Sequence, residues 1–454
     1  MHTLEQLRAG ELCGARHLKL AENLAVFPPE ILSLKETLEV LDLTGNQLSE
    51  LPDELAEFSK LRIIFCSENN FTELPEVLGR CPALTMVGFK ANRIATVPAA
   101  SLPAGLRWLI LTDNAIERLP DELGQCGALQ KLMLAGNRLC ELPASLASCR
   151  RLELLRIAAN RLPALPEWLL ALPRLSWLAF AGNPFGDKQE RRLGERAATD
   201  IPWPALTLGE QLGQGASGVI HGAEWRSDEG TRAVAVKLFK GAMTSDGLPR
   251  CEMAVSLAAG RHPNLVGVMG RVSDHPSGIP ALVMPLIDPA FATLAGPPSL
   301  KSCTRDIYPA DLAFTPAQVM AMVQGVASAA RHLHERGILH GDLYAHNLLH
   351  SVQEPGRVLL GDFGAASCYD RADEVLAKRL ERLEVRAFGC LLTELLARCP
   401  TQGKALEQLH RLAEDCLSQG VLQRPSFAES AARIDAVAAS VAAEPACALA
   451  QAIP

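Results

Sequence analysis

Eight asparagines stand at positions 23, 46, 69, 92, 114, 137, 160 and 183, separated by six intervals of 23 residues and one of 22. No ordinary core has such a period. A ladder of this kind requires stacked units, each too small to bury its apolar face alone. In register, the segments read LEVLDLTGNQL (38–48), LRIIFCSENNF (61–71), LTMVGFKANRI (84–94), LRWLILTDNAI (106–116), LQKLMLAGNRL (129–139), LELLRIAANRL (152–162) and LSWLAFAGNPF (175–185), after a degenerate copy at 15–25. Six copies add a hydrophobe and a proline five and six residues after the Asn, at Pro52, Pro75, Pro98, Pro120, Pro143 and Pro166.

These segments resemble the leucine-rich repeat over residues 15–185. Each unit offers a short strand whose inward leucines are buried only by stacking, and an Asn that turns inward to bond backbone groups of its own and the neighbouring turn. The resemblance implies an α/β repeat solenoid, a leucine-rich-repeat horseshoe. The strand residues six and four before each Asn line its concave face. Among them Ile63, Phe65, Met86, Trp108, Ile110, Met133 and Trp177 form an apolar stripe. Strands about 4.8 Å apart make such a face about 34 Å wide, a scale that marks a partner site. The expected occupant is a protein substrate or regulator; the rival reading has the rest of the chain, or a second copy, covering the face.

Beyond residue 186 the period stops. A net charge of −7 and the lack of a basic block argue against a nucleic-acid partner. Thirteen cysteines without a Cys-x-x-Cys pair read as reduced thiols. The amino-terminal residues have no signal-peptide pattern, and no apolar run of about 18 residues occurs, so the expectation is a cytoplasmic chain with no membrane partner. Its Ala- and Leu-rich style reads as bacterial.

The sequence LGQGASGVI (212–220) places Gly213, Gly215 and Gly218 ahead of Val219, and the strand-like AVAVKLF (233–239) follows. Glycine loop followed by strand fits a hairpin over nucleotide phosphates better than a dinucleotide-binding strand–turn–helix. Lys237 is the expected phosphate contact. Glu252, the only acidic residue between 247 and 273, lies in an expected helix and is its candidate partner. ALVMPLI (281–287) reads as a strand entering an adenine hinge, with Met284 gating, Pro285 offering a carbonyl and Ile287 an N–H. Ala235 and Leu349 complete the expected nucleotide pocket. In HGDLYAHNLL (340–349) and LLGDFGAAS (359–367), Asp342 and Asn347 keep a D-x-x-x-x-N spacing and Asp362, Phe363 and Gly364 follow.

With these segments in place, residues 206–435 resemble the protein kinases. The resemblance implies an α+β two-lobed domain that uses ATP and Mg2+. Lys237 and Glu252 would pair, Asp342 would act as catalytic base, and Asn347 and Asp362 would ligate the metal. The expected division is repeats at 1–186, a polar linker at 187–205, the kinase-like domain at 206–435 and an Ala-rich tail at 436–454 that begins as a helix and frays.

Departures from the family pattern bear on mechanism. Gly341 replaces the arginine that in the family grips a phosphate on the following segment. Only 21 residues separate Asp362 from Glu384, without an Ala-Pro-Glu, and their periodicity predicts a helix running toward 386. Glu384 stands where the family has an Asp that braces the catalytic loop. Tyr344 and His346 match neither the serine/threonine nor the tyrosine signature. The reading is a serine/threonine protein kinase whose substrate docks on the repeats. Small-molecule phosphotransferases of the aminoglycoside and choline kinase type, and a silent nucleotide-binding scaffold, remain as alternatives.

Overall fold

The computed structural model describes residues 2–194, 199–215, 217–241, 243–244 and 246–450. The chain divides into two compact units, Met1–Leu175 with Gly182–Phe185, and Ser176–Ala181 with Gly186–Pro454.

The first unit opens on helix α1 (Leu4–Arg8), closed by a Thr3/Gln6 capping box. Seven three-residue strands follow: β1 (His17–Lys19), β2 (Val40–Asp42), β3 (Ile63–Phe65), β4 (Met86–Gly88), β5 (Trp108–Ile110), β6 (Lys131–Met133) and β7 (Leu154–Arg156). They pair in parallel and in register, so Leu18, Leu41, Ile64, Val87, Leu109, Leu132 and Leu155 align and are at most 1% exposed. Pro52, Pro75, Pro98, Pro120 and Pro143 each stand in extended conformation directly before a short 3-10 turn, where a missing N–H costs nothing.

The asparagines bond as their spacing predicts. Asn137 Oδ1 accepts from Ile116 N in the preceding unit at 3.0 Å, while its Nδ2 donates to Leu111 O at 2.9 Å and Leu134 O at 3.0 Å. Asn69, Asn160 and Asn183 repeat the pattern through Leu48 N, Leu139 N and Leu162 N. Each amide thus satisfies buried backbone groups of two successive turns. Asn23, in the degenerate copy, is exposed.

The apolar stripe is less open than its sequence predicts. Ile63 and Met86 are 5% and 2% exposed. At Gly88 a Cβ would lie 2.5 Å from the Phe65 ring and 3.7 Å from Ile110 Cδ1, so large neighbours lean across the small position. Trp108 likewise bonds Met133 Sδ through Nε1 at 3.4 Å and carries the Lys131 ammonium 4.5 Å from its ring centre. Phe65, Trp108, Ile110 and Met133 stay half-buried. Trp177 is not available at all, at 1% exposed. Its strand, β8 (Trp177–Ala179), falls in the second unit.

Residues 187–205 are not a bare linker. Helix α2 (Asp187–Gly194) packs against a later helix, and β9 (Asp200–Pro202) joins a sheet; residues 195–198 lie outside the described part. Then come β10 (Leu206–Gln214), β11 (Gly218–Ser227), β12 (Gly230–Phe239), α3 (Pro249–Ala259), β13 (Gly270–Ser273) and β14 (Ala281–Pro285). The sheet order is β10-β11-β12-β14-β13-β9, antiparallel except for β9 beside β13. Ile201, Val234, Val236 and Val283 form its dry centre.

The remainder is mainly helical. It comprises β15 (Phe291–Thr293), α4 (Pro316–His334), β16 (Ile338–Leu339), β17 (Leu348–Ser351), β18 (Val358–Leu360), β19 (Ser367–Cys368), α5 (Glu374–Leu396), α6 (Lys404–Cys416) and α7 (Phe427–Ala450). α5 starts where the periodicity predicts, with Asp373 capping Leu376 N at 3.0 Å. The tail expected at 436–454 begins as a helix, and α7 continues to Ala450; residues 451–454 lie outside the described part.

Substituting Asn137→Ala removes the acceptor of Ile116 N inside the stack, while Leu111 O and Leu134 O keep the amides of Asn114 and Asn160. The expected loss is about 1–3 kcal/mol, measured as a lower urea midpoint at unchanged slope. An unshifted midpoint contradicts the bonding role.

Candidate functional site

β10 and β11 form an antiparallel hairpin, with Gly213 near the end of β10, Gly215 in the connection and Gly218 opening β11. Gly215 N donates to Gly218 O at 2.9 Å, closing the turn around residue 216, itself outside the described part. A Cβ on Gly218 would stand 2.5 Å from Leu238 O, so the loop returns to β12 only if that residue has no side chain. At Gly213 and Gly215 a Cβ would meet nothing within 4 Å, which leaves open room over the loop backbone.

Lys237, in the middle of β12, forms an ion pair with Glu252 of α3, and both side chains are largely enclosed. Burial pushes the Glu252 carboxyl above its ordinary range, although the Lys237 ammonium pulls against it. Ala235 pairs with Met284 and Val234 with Pro285 across β12 and β14. Ala235 is buried, Val219, Met284, Ile287 and Leu349 are half-buried, and Pro285 is exposed.

The loop after β16 holds the second group. Asn347 Nδ2 donates to the Asp342 carbonyl at 2.8 Å and to its carboxylate Oδ2 at 2.9 Å. Gly361 N donates to Asn347 O at 3.0 Å, and His340 Nε2 donates to Gly361 O at 2.9 Å. The residue before Asp362 is therefore tied from both sides to the loop of Asp342. Asp362 itself has a left-handed backbone, φ 56°, and its Oδ1 accepts from Gly364 N at 3.1 Å. A non-glycine residue held in this region stores strain of roughly 1–3 kcal/mol. A Cβ on Gly364 would lie 3.1 Å from Asp362 Oδ1 and 3.8 Å from Glu252 Oε2. The Lys237–Glu252 pair and the Asp362 carboxylate therefore adjoin one another.

Glu384 of α5, fully buried, supports this loop. Its carboxylate accepts from Gly341 N at 2.6 Å, from His340 N at 3.2 Å and from His334 Nε2 at 2.8 Å. Burial alone would raise its pKa, but the bond from His334 and the neighbouring donors hold it below the ordinary glutamate range. Sequence reasoning missed the partner of His346. Asp306, 40 residues upstream, accepts from both His346 N at 2.9 Å and His346 Nδ1 at 2.8 Å. Burial disfavours the imidazolium, but Asp306, with Asp342 and Asp362 nearby, carries its pKa above the ordinary value. No motif announces that pair, because Asp306 comes from an irregular segment.

The donor set suits a hard cation. The two Asn347 amide bonds leave its carbonyl oxygen free of Asp342, and Asp362 is exposed. Among the described residues no cluster of three or more His, Cys, Asp or Glu side chains is placed to hold a metal. A magnesium ion on Asn347 and Asp362 would need phosphate and water oxygens to complete its shell, as Mg2+ commonly does.

Removing the Glu384 carboxylate by Glu384→Ala leaves three buried donors unpaired, and a loss of about 3–5 kcal/mol is expected. The pH test has a definite sign. A carboxyl with a lowered folded pKa adds stability that is present above the ordinary glutamate value of 4.5 and lost as pH falls below it. Stability against unfolding, measured from pH 7 to pH 3, should therefore decline more steeply in the natural chain than in Glu384→Gln. Parallel curves contradict the assignment.

Comparison with known proteins agrees with this geometry. Residues 206–388 match the family described as protein tyrosine and serine/threonine kinase, and residues 37–58 match the leucine-rich repeat. A protein named "probable serine/threonine-protein kinase" from Arabidopsis thaliana is 30% identical over 176 residues, 34% of this chain and 28% of its own length. The serine/threonine-protein kinase CTR1 of Arabidopsis thaliana is 27% identical over 288 residues, 54% of this chain and 33% of its own. Human cyclin-dependent kinase 10 is 29% identical over 211 residues, 42% of this chain and 54% of its own. The chain thus spans little more than half, at most, of the length of these relatives. Residues 206–388 are therefore a protein kinase domain of the tyrosine and serine/threonine kind, carried on the same chain as leucine-rich repeats.

Proposed function

We propose that the chain is an ATP-dependent protein kinase that transfers a phosphoryl group to a serine or threonine hydroxyl. One observation carries the reading: the Lys237–Glu252 pair, the Asp342–Asn347 pair and the Asp362 carboxylate adjoin through Gly361 and Gly364. In this reading Lys237 neutralises phosphate charge, and Glu252 fixes the ammonium. Asn347 and Asp362 present oxygens to magnesium. Asp342 accepts the proton of the acceptor hydroxyl at its carboxylate, held in aim by Asn347 Nδ2. Bound ATP supplies the γ-phosphoryl group, and the residues contribute positioning and charge neutralisation. Val219, Ala235 and Leu349 supply apolar walls for the base and Met284 gates the pocket, with the Pro285 carbonyl as acceptor and the Ile287 N–H as donor.

The repeats are read as a horseshoe that selects the protein substrate or a regulator. The half-buried Phe65, Trp108, Ile110 and Met133 are the part of the apolar stripe left for contact. Among the described residues no helix is long and apolar enough to cross a membrane, so no bilayer is invoked.

Full-length protein incubated with magnesium and γ-labelled ATP in cell extract tests the activity. Label on protein serine or threonine supports it. Label on a soluble metabolite would transfer the assignment to small-molecule phosphotransferases, and ATP binding without turnover to a scaffold. Asp342→Ala should lower turnover roughly 10²–10⁴-fold while calorimetry shows ATP affinity kept; undiminished turnover removes Asp342 from the chemistry. Trp108→Asp with Ile110→Asp should reduce phosphorylation of the captured substrate but not basal ATP hydrolysis. Unchanged substrate phosphorylation sinks the docking face.

A further inference from the structure

One run of residues upstream of the kinase motifs reaches the catalytic loop. Trp177, at the start of β8, donates through Nε1 to Leu343 O at 3.0 Å. Its indole stacks on the Tyr344 ring, with centres 4.1 Å apart and planes 8° from parallel. The Arg305 guanidinium stands 5.2 Å from the same indole. Tyr344 in turn lies 4.9 Å from the His346 ring, which Asp306 holds. Leu343 and Tyr344 are the two residues directly after Asp342, and both are buried.

The same run also grips the segment after Asp362. Ser367 Oγ accepts from Phe180 N at 2.9 Å and from Ala181 N at 3.1 Å. Between these two anchor points lies Gly341, with φ 73°. A Cβ there would stand 2.6 Å from Leu178 O and 2.7 Å from Ala365 O. The space in which an arginine side chain would begin is thus filled by the backbone of β8 and of the segment after Asp362.

We propose that Ser176–Ala181 is a built-in positioning element of the catalytic loop, with Trp177 as its positioning residue. By direct contact it fixes both the loop of Asp342 and the segment at Ser367. In the kinases this chain resembles, an arginine before the catalytic Asp does that through a phosphate. The inference rests on the kinase reading above. It accounts for Gly341 and for a tryptophan buried between a carbonyl, a tyrosine and an arginine. It also implies that the domain is set for activity without phosphorylation of residues 365–373.

The test uses full-length protein carrying Trp177→Phe, which keeps an aromatic stack but loses the N–H, and Trp177→Leu, which loses both. Turnover, the KM for ATP and the number of ATP sites per chain are measured together. The expected result for Trp177→Leu is a fall in kcat of tenfold or more, with KM for ATP within twofold and one site per chain retained. Trp177→Phe should recover most of the rate. Ser367→Ala should give a smaller fall of the same kind.

Loss of ATP sites in proportion to kcat would mean that Trp177 only keeps the chain folded, which overturns the proposal. Unchanged kcat in Trp177→Leu also overturns it. If the natural chain shows no turnover, the kinase reading fails separately. Amide exchange in a peptide spanning 340–347 then decides, and protection equal in Trp177→Leu and the natural chain overturns the positioning role.

Discussion

A single buried carboxylate ties together the elements on which the site depends. Glu384 enters from α5 and binds His334 at the end of α4 and the backbone of His340 and Gly341. Shielded from water, this charge is tolerable only because three donors converge on it. The consequence is geometric. With His340 fixed, its Nε2 reaches Gly361 O and its Nδ1 accepts from Asp342 N at 3.3 Å. The carboxylates of Asp342 and Asp362 therefore start from two backbones locked to the same imidazole. A shorter Asp could serve the same donors only with the loop drawn closer to α5.

The asparagine ladder is the counterpart in the repeats. There a neutral amide, with two donors and an acceptor, satisfies turns that have no strand partner. In both places one side chain answers several buried backbone groups, and so fixes a conformation that side-chain packing alone would leave loose. The repeats use this device serially, once per unit, which is why their sequence is periodic. The kinase domain uses it at isolated places, Glu384 and Ser367 among them, and its sequence shows no period.

That contrast explains how much could be read in advance. The repeat strands, their register and the Asn bonds were legible because a period of 23 residues leaves little other choice. The glycine hairpin and the Lys237–Glu252 pair were legible from the glycine spacing and from the lack of any other acid nearby, and the D-x-x-x-x-N spacing marked Asp342 and Asn347 without revealing the bond between them. Other features were not. Trp177 sits in LSWLAF with the same offsets as every other copy, and its bond to Leu343 O bridges 166 residues. β9 is three residues long, too short for an alternating pattern to register. Phe65 leans over Gly88 of the next unit, a contact that no single unit reveals.

The central proposal is that Lys237, Glu252, Asp342, Asn347 and Asp362 form one nucleotide site already assembled before nucleotide arrives. The most direct measurement is a crystal structure of the full chain with magnesium and a non-hydrolysable ATP analogue, compared with a crystal structure of the chain alone. The account predicts metal on Asn347 and Asp362, phosphates beside Lys237, the Lys237–Glu252 pair intact and the loop 340–347 unmoved. A nucleotide seated elsewhere, or a loop that reorganises around it, would contradict the account.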